Sequence, residues 1–163
     1  MGVLGVEKFV GCPRWMIRPH LPAVLAIERS TFRDPWTEED FLRVVADPLG
    51  RAQVVERHGQ VVAYSVYRLG EQNVELLNIA VAPYWRRLGL GSLLFGRLVE
   101  KVGHGRYRYG KIRLTVPDNL LGAHLFFRAH GLRCRSTVRS LYGDGVDGYL
   151  FEKGAGDEVN YCG

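Results

Sequence analysis

The sequence predicts a single α+β domain, in which a mixed sheet is covered by helices. The chain has 163 residues, which is enough for one core of ordinary size. Its residues are 47% hydrophobic and 24% charged, as in soluble globular proteins. Strand-like and helix-like patterns follow one another in the order β-α-α-β-β-β-α-β-α-β-β.

The first third of the chain contains a short strand and two helices. Residues 16–18 are strand-like and end at a proline, which cannot donate a hydrogen bond to a sheet. Pro22 favours the start of a helix, because proline suits the first helical turn. Thr37, followed three residues later by Asp40, has the spacing of a capping box and predicts a second helix.

The middle of the chain contains three strand-like runs that we expect to form an antiparallel meander. Short polar turns separate the runs, and the tightest turn is His58-Gly59. The runs cover residues 52–56, 61–69 and 74–82.

The second half of the chain predicts two helices and three further strands. Apolar residues recur at four-residue spacing through residues 89–102, as on the buried face of a helix. Residues 111–116 alternate between apolar and polar side chains, as in a half-buried strand. Asp118 or Asn119 can cap the next helix, and Gly131 suits the position just beyond its end. The last two strands are expected at residues 133–141 and 148–152.

Charge and cysteine content indicate the class of partner and the compartment. Lys and Arg together number 22 against 17 Asp and Glu, and the resulting net charge of +5 suits an anionic ligand. The sequence has no apolar run long enough for a membrane span and no secretory pattern, so we expect a cytoplasmic protein without a membrane partner. The three cysteines favour a reduced compartment, and we expect Cys134 in the core. The histidines lack metal-ligand spacing, so no metal is expected.

Residues 104–113 alternate between basic and aromatic side chains. Such a pattern can stack on nucleic-acid bases. We favour a solvated connection between a helix and a strand, and therefore expect no nucleic-acid partner.

The most informative segment is residues 81–92, which lies between a predicted strand and a predicted helix. Backbone N–H groups at a helix start are unpaired and attract anions. Gly89 and Gly91 let a phosphate approach the main chain, and Arg86 and Arg87 add two cations. The loop lacks the third glycine of the dinucleotide fingerprint and the Gly-Lys-Ser/Thr of a Walker A loop. A diphosphate is the ligand that the pattern indicates, although a plain turn with two solvated arginines has the same composition.

The run Arg86-Arg87-Leu88-Gly89-Leu90-Gly91 resembles the Arg/Gln-x-x-Gly-x-Gly/Ala acetyl-CoA motif of the GCN5-related N-acetyltransferases (GNAT). Residues 77–81 and 123–132 also fit this family. Residues 34–37 and 140–142 resemble its RimI-like subgroup, which acetylates protein N-termini. The resemblance covers residues 16–153 and implies the single-domain GNAT fold with a splayed central sheet. Residues 1–15 are then an N-terminal extension and residues 154–163 a C-terminal tail.

The resemblance also implies where acetyl-CoA binds. The diphosphate is expected on the amides of the loop, and the pantetheine arm along the preceding strand, where a main-chain N–H holds the thioester carbonyl. The next helix is expected to line the same ligand. The implied cofactor-binding residues are Ile79, Ala80, Val81, Arg86, Arg87, Leu88, Gly89, Leu90, Gly91, Ser92, Asn119, Phe127 and Arg128.

In this family an amine attacks the thioester directly, so a base must take the proton of the amine. Glu75 is the candidate base, since partial desolvation on an apolar strand face would raise its pKa. A solvated glutamate at the end of a strand is the equally open alternative. RimI-like enzymes have a Glu where this chain has Thr115 and a Tyr general acid where it has Phe127, so Tyr142 is the remaining candidate for the acid.

Phe32, Trp36 and Tyr142 are the candidate acceptor-binding residues, although each can also be an ordinary aromatic contact. The function that we expect is acetyl transfer to a protein N-terminal α-amine. The alternatives are acetylation of a small amine, such as a polyamine or an aminoglycoside, and acyl-CoA binding with weak catalysis. The absence of the family's glutamate at Thr115 and of its tyrosine at Phe127 favours acyl-CoA binding with weak catalysis.

Overall fold

The computed structural model describes residues 11–102, 109–155 and 157. The order of helices and strands in this part of the chain is the predicted one, which is confirmed. Residues 103–108, which hold most of the basic and aromatic stretch, lie outside the described residues. The elements are β1 (Arg14–Trp15), α1 (Leu21–Thr31), α2 (Glu38–Ala46), β2 (Gly50–Arg57), β3 (Gln60–Leu69), β4 (Asn73–Val81), α3 (Leu90–Val99), β5 (Lys111–Pro117), α4 (Leu121–Ala129), β6 (Arg133–Val138) and β7 (Gly148–Gly154).

The strands form one mixed sheet with the order β1-β2-β3-β4-β5-β7-β6. Strands β4 and β5 pair in parallel, whereas β7 pairs antiparallel with both β5 and β6. The ladder between β4 and β5 starts at Asn73 and Lys111 and ends at Glu75 and Arg113, although both strands continue. The two strands therefore separate beyond Glu75, as expected of a splayed sheet.

The contacts divide the chain into two compact units. The first unit holds the described residues up to Val66 together with Ile79–Phe95. Its core joins β2 and β3 to the first turns of α3, and Trp85 packs against the same cluster. The buried members of this cluster are Val55, Val62, Ala63, Leu90 and Leu94.

The second unit holds Tyr67–Asn78 and the described residues from Gly96 onward. Alternate side chains of β5 are buried, as the sequence pattern predicts. Gly131 has a φ of +84° just beyond α4, and the N–H of Leu132 donates to the carbonyl of Phe127 at 3.0 Å. The predicted helix end at Gly131 is therefore confirmed. The buried side chains of β5, α4 and β7 include Ile112, Leu114, Val116, Phe127 and Phe151.

Two expectations about the second unit are wrong. The N-cap of α4 is Leu120, without a side-chain cap, rather than Asp118 or Asn119. The turn before the helix is fixed by a long-range hydrogen bond, in which the N–H of Asp118 donates to the carbonyl of Asp147 at 2.9 Å. Cys134 is exposed rather than in the core, because β6 lies at the end of the strand order and all its residues are exposed.

Two strands also differ from their predicted bounds. Strand β1 lies two residues earlier than expected, because a single 3-10 turn begins at Arg18. Strand β6 ends at Val138, three residues early, and Ser140 in the turn that follows has a positive φ of 50°. That backbone conformation is incompatible with a continuing strand.

The capping box at the start of α2 is confirmed. The N–H of Asp40 donates to Oγ1 of Thr37 at 3.3 Å, and the N–H of Thr37 donates to Oδ2 of Asp40 at 2.8 Å. The Thr37 hydroxyl donates to the same carboxylate oxygen at 2.8 Å. The N–H of Thr37, followed by its hydroxyl, holds the pKa of Asp40 below its usual value of 3.8.

This lowered pKa predicts a pH dependence of stability. Because the folded-state pKa lies below the unfolded one, the stabilisation is fully present above about pH 4 and is lost as the pH falls through the folded-state pKa. We expect Asp40→Asn to lower the Tm at pH 7 and the difference from the wild type to shrink toward pH 2. Thermal unfolding followed by circular dichroism between pH 2 and 7 measures this, with Glu38→Gln as the exposed control. A Tm difference that stays constant over this range would contradict the assignment.

Candidate active site

The loop between β4 and α3 is anchored at both ends within the first unit. The N–H of Ala82 donates to the carbonyl of Val62 at 2.8 Å, which ties the end of β4 to β3. Residues Pro83–Trp85 form one 3-10 turn, closed by the N–H of Trp85 on the carbonyl of Ala82 at 2.9 Å. Because Trp85 packs on the apolar core and Leu90 is buried in it, the residues between them are held in place.

Among the described residues, the backbone N–H groups of Arg87, Gly89, Leu90 and Gly91 have no backbone carbonyl acceptor. The first helical bond of α3 runs from the N–H of Leu93 to the carbonyl of Gly89 at 2.9 Å. Arg87 and Gly89 both have positive φ values, of 62° and 83°. A Cβ built on Gly89 would meet nothing within 4 Å, so the main chain is open there. The loop therefore presents unpaired N–H donors at a helix start, which is the arrangement that binds phosphate groups.

The two arginines of this loop have different surroundings. Nε of Arg86 donates to the carbonyl of Val81 at 3.0 Å, and Nη2 of Arg86 donates to Oγ1 of Thr31 at 3.1 Å. Arg86 therefore links the loop to the last residue of α1. Arg87 is exposed and has no ion-pair partner among residues 11–102, 109–155 and 157. Sequence reasoning treated both as phosphate cations and missed the contact with Thr31, which lies 55 positions earlier in the chain.

Strand β4 carries the candidate base and the candidate pantetheine contacts. Its burial alternates, so that Glu75, Ile79 and Val81 are partly exposed while Ala80 is buried. Glu75 occupies the register position beside Arg113 of β5. In the described part of the chain, the carboxylate of Glu75 makes no hydrogen bond or ion pair.

The structure brings Tyr142 and Thr115 together in the second unit. The hydroxyl of Tyr142 donates to Oγ1 of Thr115 at 3.2 Å, and both side chains are exposed. The N–H of Tyr142 donates a hydrogen bond to the carbonyl of Val146 at 3.2 Å, and this bond holds the turn that carries Tyr142. A Cβ on Gly148 would lie 3.3 Å from Cε2 of Tyr142, 3.2 Å from Cβ of Leu141 and 2.5 Å from Cδ2 of Leu141, so glycine lets both side chains pack closely against this strand. The role of Gly148 was not visible in the sequence.

The candidate residues around α4 lie in different environments. Asn119 is exposed in the turn before the helix, and Arg128 is exposed in its last turn. Phe127 is only 5% exposed, and its ring lies 5.2 Å from that of Phe126. Of these three, only the exposed Asn119 and Arg128 offer polar groups at the surface.

The candidate acceptor residues follow α1. Phe32 and Trp36 are both half-buried, and the Trp36 ring lies 5.2 Å from Phe41 in an edge-on contact. The N–H of Trp36 donates to Oε1 of Glu28 at 2.8 Å. Glu28 is 1% exposed, and its other carboxylate oxygen accepts a hydrogen bond from the hydroxyl of Tyr64. Sequence reasoning missed Glu28, although a glutamate on the apolar face of α1 is a detectable signal.

The described residues contain neither a membrane-spanning helix nor a cluster of metal ligands. None of their helices combines the length and the apolar character that crossing a bilayer would require. Their His, Cys, Asp and Glu side chains form no group of three that could hold a metal ion.

The sequence is similar to known acetyltransferases. Residues 21–132 match the sequence model of the acetyltransferase (GNAT) family. A relative named putative [ribosomal protein bS18]-alanine N-acetyltransferase, from Bacillus subtilis (strain 168), is 32% identical over 122 residues, which cover 74% of this chain and 80% of that protein. The [ribosomal protein bS18]-alanine N-acetyltransferase of Escherichia coli (strain K12) is 29% identical over 128 residues, or 78% and 84% of the two chains.

Solved structures share the fold. The ribosomal-protein-S18-alanine N-acetyltransferase from Escherichia coli superimposes with a TM-score of 0.78 at 22% identity, covering 89% of this chain and 94% of that one. NAA60 of Arabidopsis thaliana, in complex with a bisubstrate analogue, gives a TM-score of 0.77 at 17% identity, covering 91% and 100%. With the family model matching more than half of its length and one relative above 30% identity, the chain belongs to the GNAT family and is an N-acetyltransferase.

Proposed function

We propose that this enzyme transfers the acetyl group of acetyl-CoA to the α-amine at the N-terminus of a protein or peptide. The observation that carries the proposal is the helix start at residues 89–91, whose backbone N–H groups have no carbonyl acceptor among the described residues and lie within the acetyl-CoA motif of the family. The relatives named for alanine acetylation of ribosomal protein bS18 support an N-terminal acceptor. The cytoplasmic location stays a prediction.

The loop residues fit the diphosphate of CoA. Unpaired N–H groups and the positive end of the α3 dipole stabilise an anion, and the exposed Arg87 adds a full positive charge. Ile79, Ala80 and Val81 would hold the pantetheine arm, and Arg128 and Asn119 are proposed as further contacts. Acetyl-CoA supplies an activated thioester, so the protein has to bind, orient and exchange protons.

Glu75 is proposed as the base. An ammonium cannot attack, and an α-amine, with a pKa of about 8, gives up its proton more readily than a lysine, with a pKa of about 10.4. The half-buried carboxylate of Glu75 has no partner within the described residues, so it is available to accept this proton directly or through a water molecule. An N-terminal acceptor therefore suits a single carboxylate better than a lysine side chain does.

Tyr142 is proposed to act on the acceptor side, either as the proton donor for the leaving thiolate or as a hydrogen-bond partner of the peptide. Phe127 has no proton to give and is buried, whereas the Tyr142 hydroxyl is exposed and oriented by Thr115. The Thr115 hydroxyl is a poor base at neutral pH, so we assign it the orientation of Tyr142 rather than proton abstraction from the amine.

The proposal predicts release of free CoA when acetyl-CoA is mixed with a peptide that starts with alanine or serine. Thiol release should be measured with such peptides, with the same peptides blocked at the N-terminus, and with polyamine and aminoglycoside panels. Turnover confined to free N-termini is expected. Turnover on the small amines alone supports a small-amine acetyltransferase. Binding of acetyl-CoA without turnover on any acceptor supports an acyl-CoA-binding domain.

Glu75→Gln tests the base. Removing the carboxylate should lower kcat by about a hundredfold at pH 7, which is within the range of general-base contributions, and should leave the Kd for CoA unchanged. Glu71→Gln, in the exposed turn before β4, is the matched control and should retain wild-type turnover. Turnover equal to that of the wild type would remove Glu75 from the mechanism.

Gly89→Ala tests the phosphate loop. An alanine at a φ of +83° is strained, so we expect a loss of about 1 kcal/mol in stability and a Kd for CoA about tenfold weaker. Gly96→Ala, inside α3 and with nothing within 4 Å of the new Cβ, is the control. It should stabilise the protein by about 0.5 kcal/mol with CoA affinity unchanged. Isothermal titration calorimetry measures both affinities, and equal affinities would place the phosphates elsewhere.

A further inference from the structure

Glu28 is the only acidic or basic side chain among the buried residues of the described chain. A buried carboxylate is costly unless its oxygens are hydrogen-bonded. Both oxygens of Glu28 are used, Oε1 by the N–H of Trp36 and Oε2 by the Tyr64 hydroxyl. The buried carboxyl group therefore joins three parts of the first unit: helix α1, strand β3 and the segment between α1 and α2.

That segment, residues 32–37, is restrained at several points. Its first residue directly follows Thr31, which accepts a hydrogen bond from Arg86. Trp36 is fixed by Glu28 and by its ring contact with Phe41, which in turn lies 5.6 Å from the Tyr64 ring. The capping box at Thr37 fixes the end of the segment. The Glu28 side chain is the restraint on the main chain at Trp36, whereas the N–H of Phe32 donates to the backbone carbonyl of Glu28 at 3.0 Å and the N–H of Thr37 donates to Asp40.

We propose that Glu28 is a positioning residue for the acceptor, because it fixes the segment that carries Phe32 and Trp36. The proposal rests on the function proposed above, in which these aromatic residues contact the N-terminus of the acceptor. Glu28 itself is buried and does not touch the substrate. Its effect is on the acceptor, through the main chain of Trp36, and not on the donor.

Two conservative variants separate this role from a role of the negative charge itself. Glu28→Gln keeps the length of the side chain and removes its charge. Its carbonyl oxygen can accept the hydrogen bond from the N–H of Trp36, and its NH₂ group can donate to the hydroxyl oxygen of Tyr64. Glu28→Asp keeps the charge, but it is one methylene shorter and cannot satisfy both partners at once. Positioning therefore predicts that the glutamine variant behaves like the wild type and that the aspartate variant is impaired.

The kinetic test measures KM and kcat with an N-terminal peptide, and the KM for acetyl-CoA. We expect Glu28→Asp to raise the peptide KM about tenfold, as for the loss of a hydrogen bond to a charged group, with kcat and the acetyl-CoA KM changed less than twofold. Glu28→Gln should stay within twofold of the wild type in all three. An impaired glutamine variant beside a normal aspartate variant would overturn the proposal and assign the effect to the charge.

Hydrogen exchange at the Trp36 amide gives a readout that does not depend on activity. We expect exchange to be about tenfold faster in Glu28→Asp than in the wild type, and unchanged in Glu28→Gln. Exchange equal to that of the wild type in Glu28→Asp would overturn the proposal. If the wild type acetylates none of the peptides, the proposed function fails, whereas the exchange rates still decide whether Glu28 fixes the segment.

Discussion

The proposed site depends on N–H groups at the start of α3 that have no backbone carbonyl acceptor among the described residues. A helix start is ordinarily capped by a side-chain oxygen from Ser, Thr, Asp or Asn, as Thr37 caps α2. Leu88, Gly89, Leu90 and Gly91 carry no such oxygen, so the start of α3 keeps its donors for a ligand. Leu88 and Gly89 are exposed, so water can solvate the main chain there until an anion replaces it, which keeps the cost small. The core contacts of Trp85 and Leu90 keep the loop in place meanwhile.

Helix α1 provides a common support for two segments of the first unit. Its last residue, Thr31, accepts a hydrogen bond from the guanidinium of Arg86 in the loop before α3. Glu28, one turn earlier, accepts a hydrogen bond from the N–H of Trp36 in the segment before α2. Positions three apart on a helix lie on the same side, so both bonds leave α1 in similar directions. One rigid helix therefore sets the distance between the donor loop and the proposed acceptor segment. The hydrogen bonds from Trp36 and Tyr64 compensate the burial of the Glu28 carboxyl group near the end of this helix.

Features that depend on neighbouring residues in the sequence were predicted correctly. The order of elements, the capping box of Thr37 and Asp40, and the end of α4 at Gly131 all depend on residues within one turn of one another, and all were predicted correctly. The cap of α4 was wrong because Asp147, far along the chain, determines the turn at Asp118. The contacts of Glu28 with Tyr64 and of Tyr142 with Thr115 join residues 36 and 27 positions apart. No periodicity or spacing reports such pairs.

The departures from the family pattern are consistent with one another in the second unit. Phe127, where RimI-like enzymes have a tyrosine acid, is buried, so the change exchanges a proton donor for a packing residue. Thr115, where they have a glutamate, accepts the hydroxyl of Tyr142 instead of holding a charge. The two losses therefore coincide with one gain, an exposed phenol whose hydroxyl donates to Thr115 and whose ring lies close to Gly148. With the glutamate absent from β5, we propose that the carboxylate of Glu75 on the neighbouring strand, which has no partner among the described residues, takes the proton of the amine.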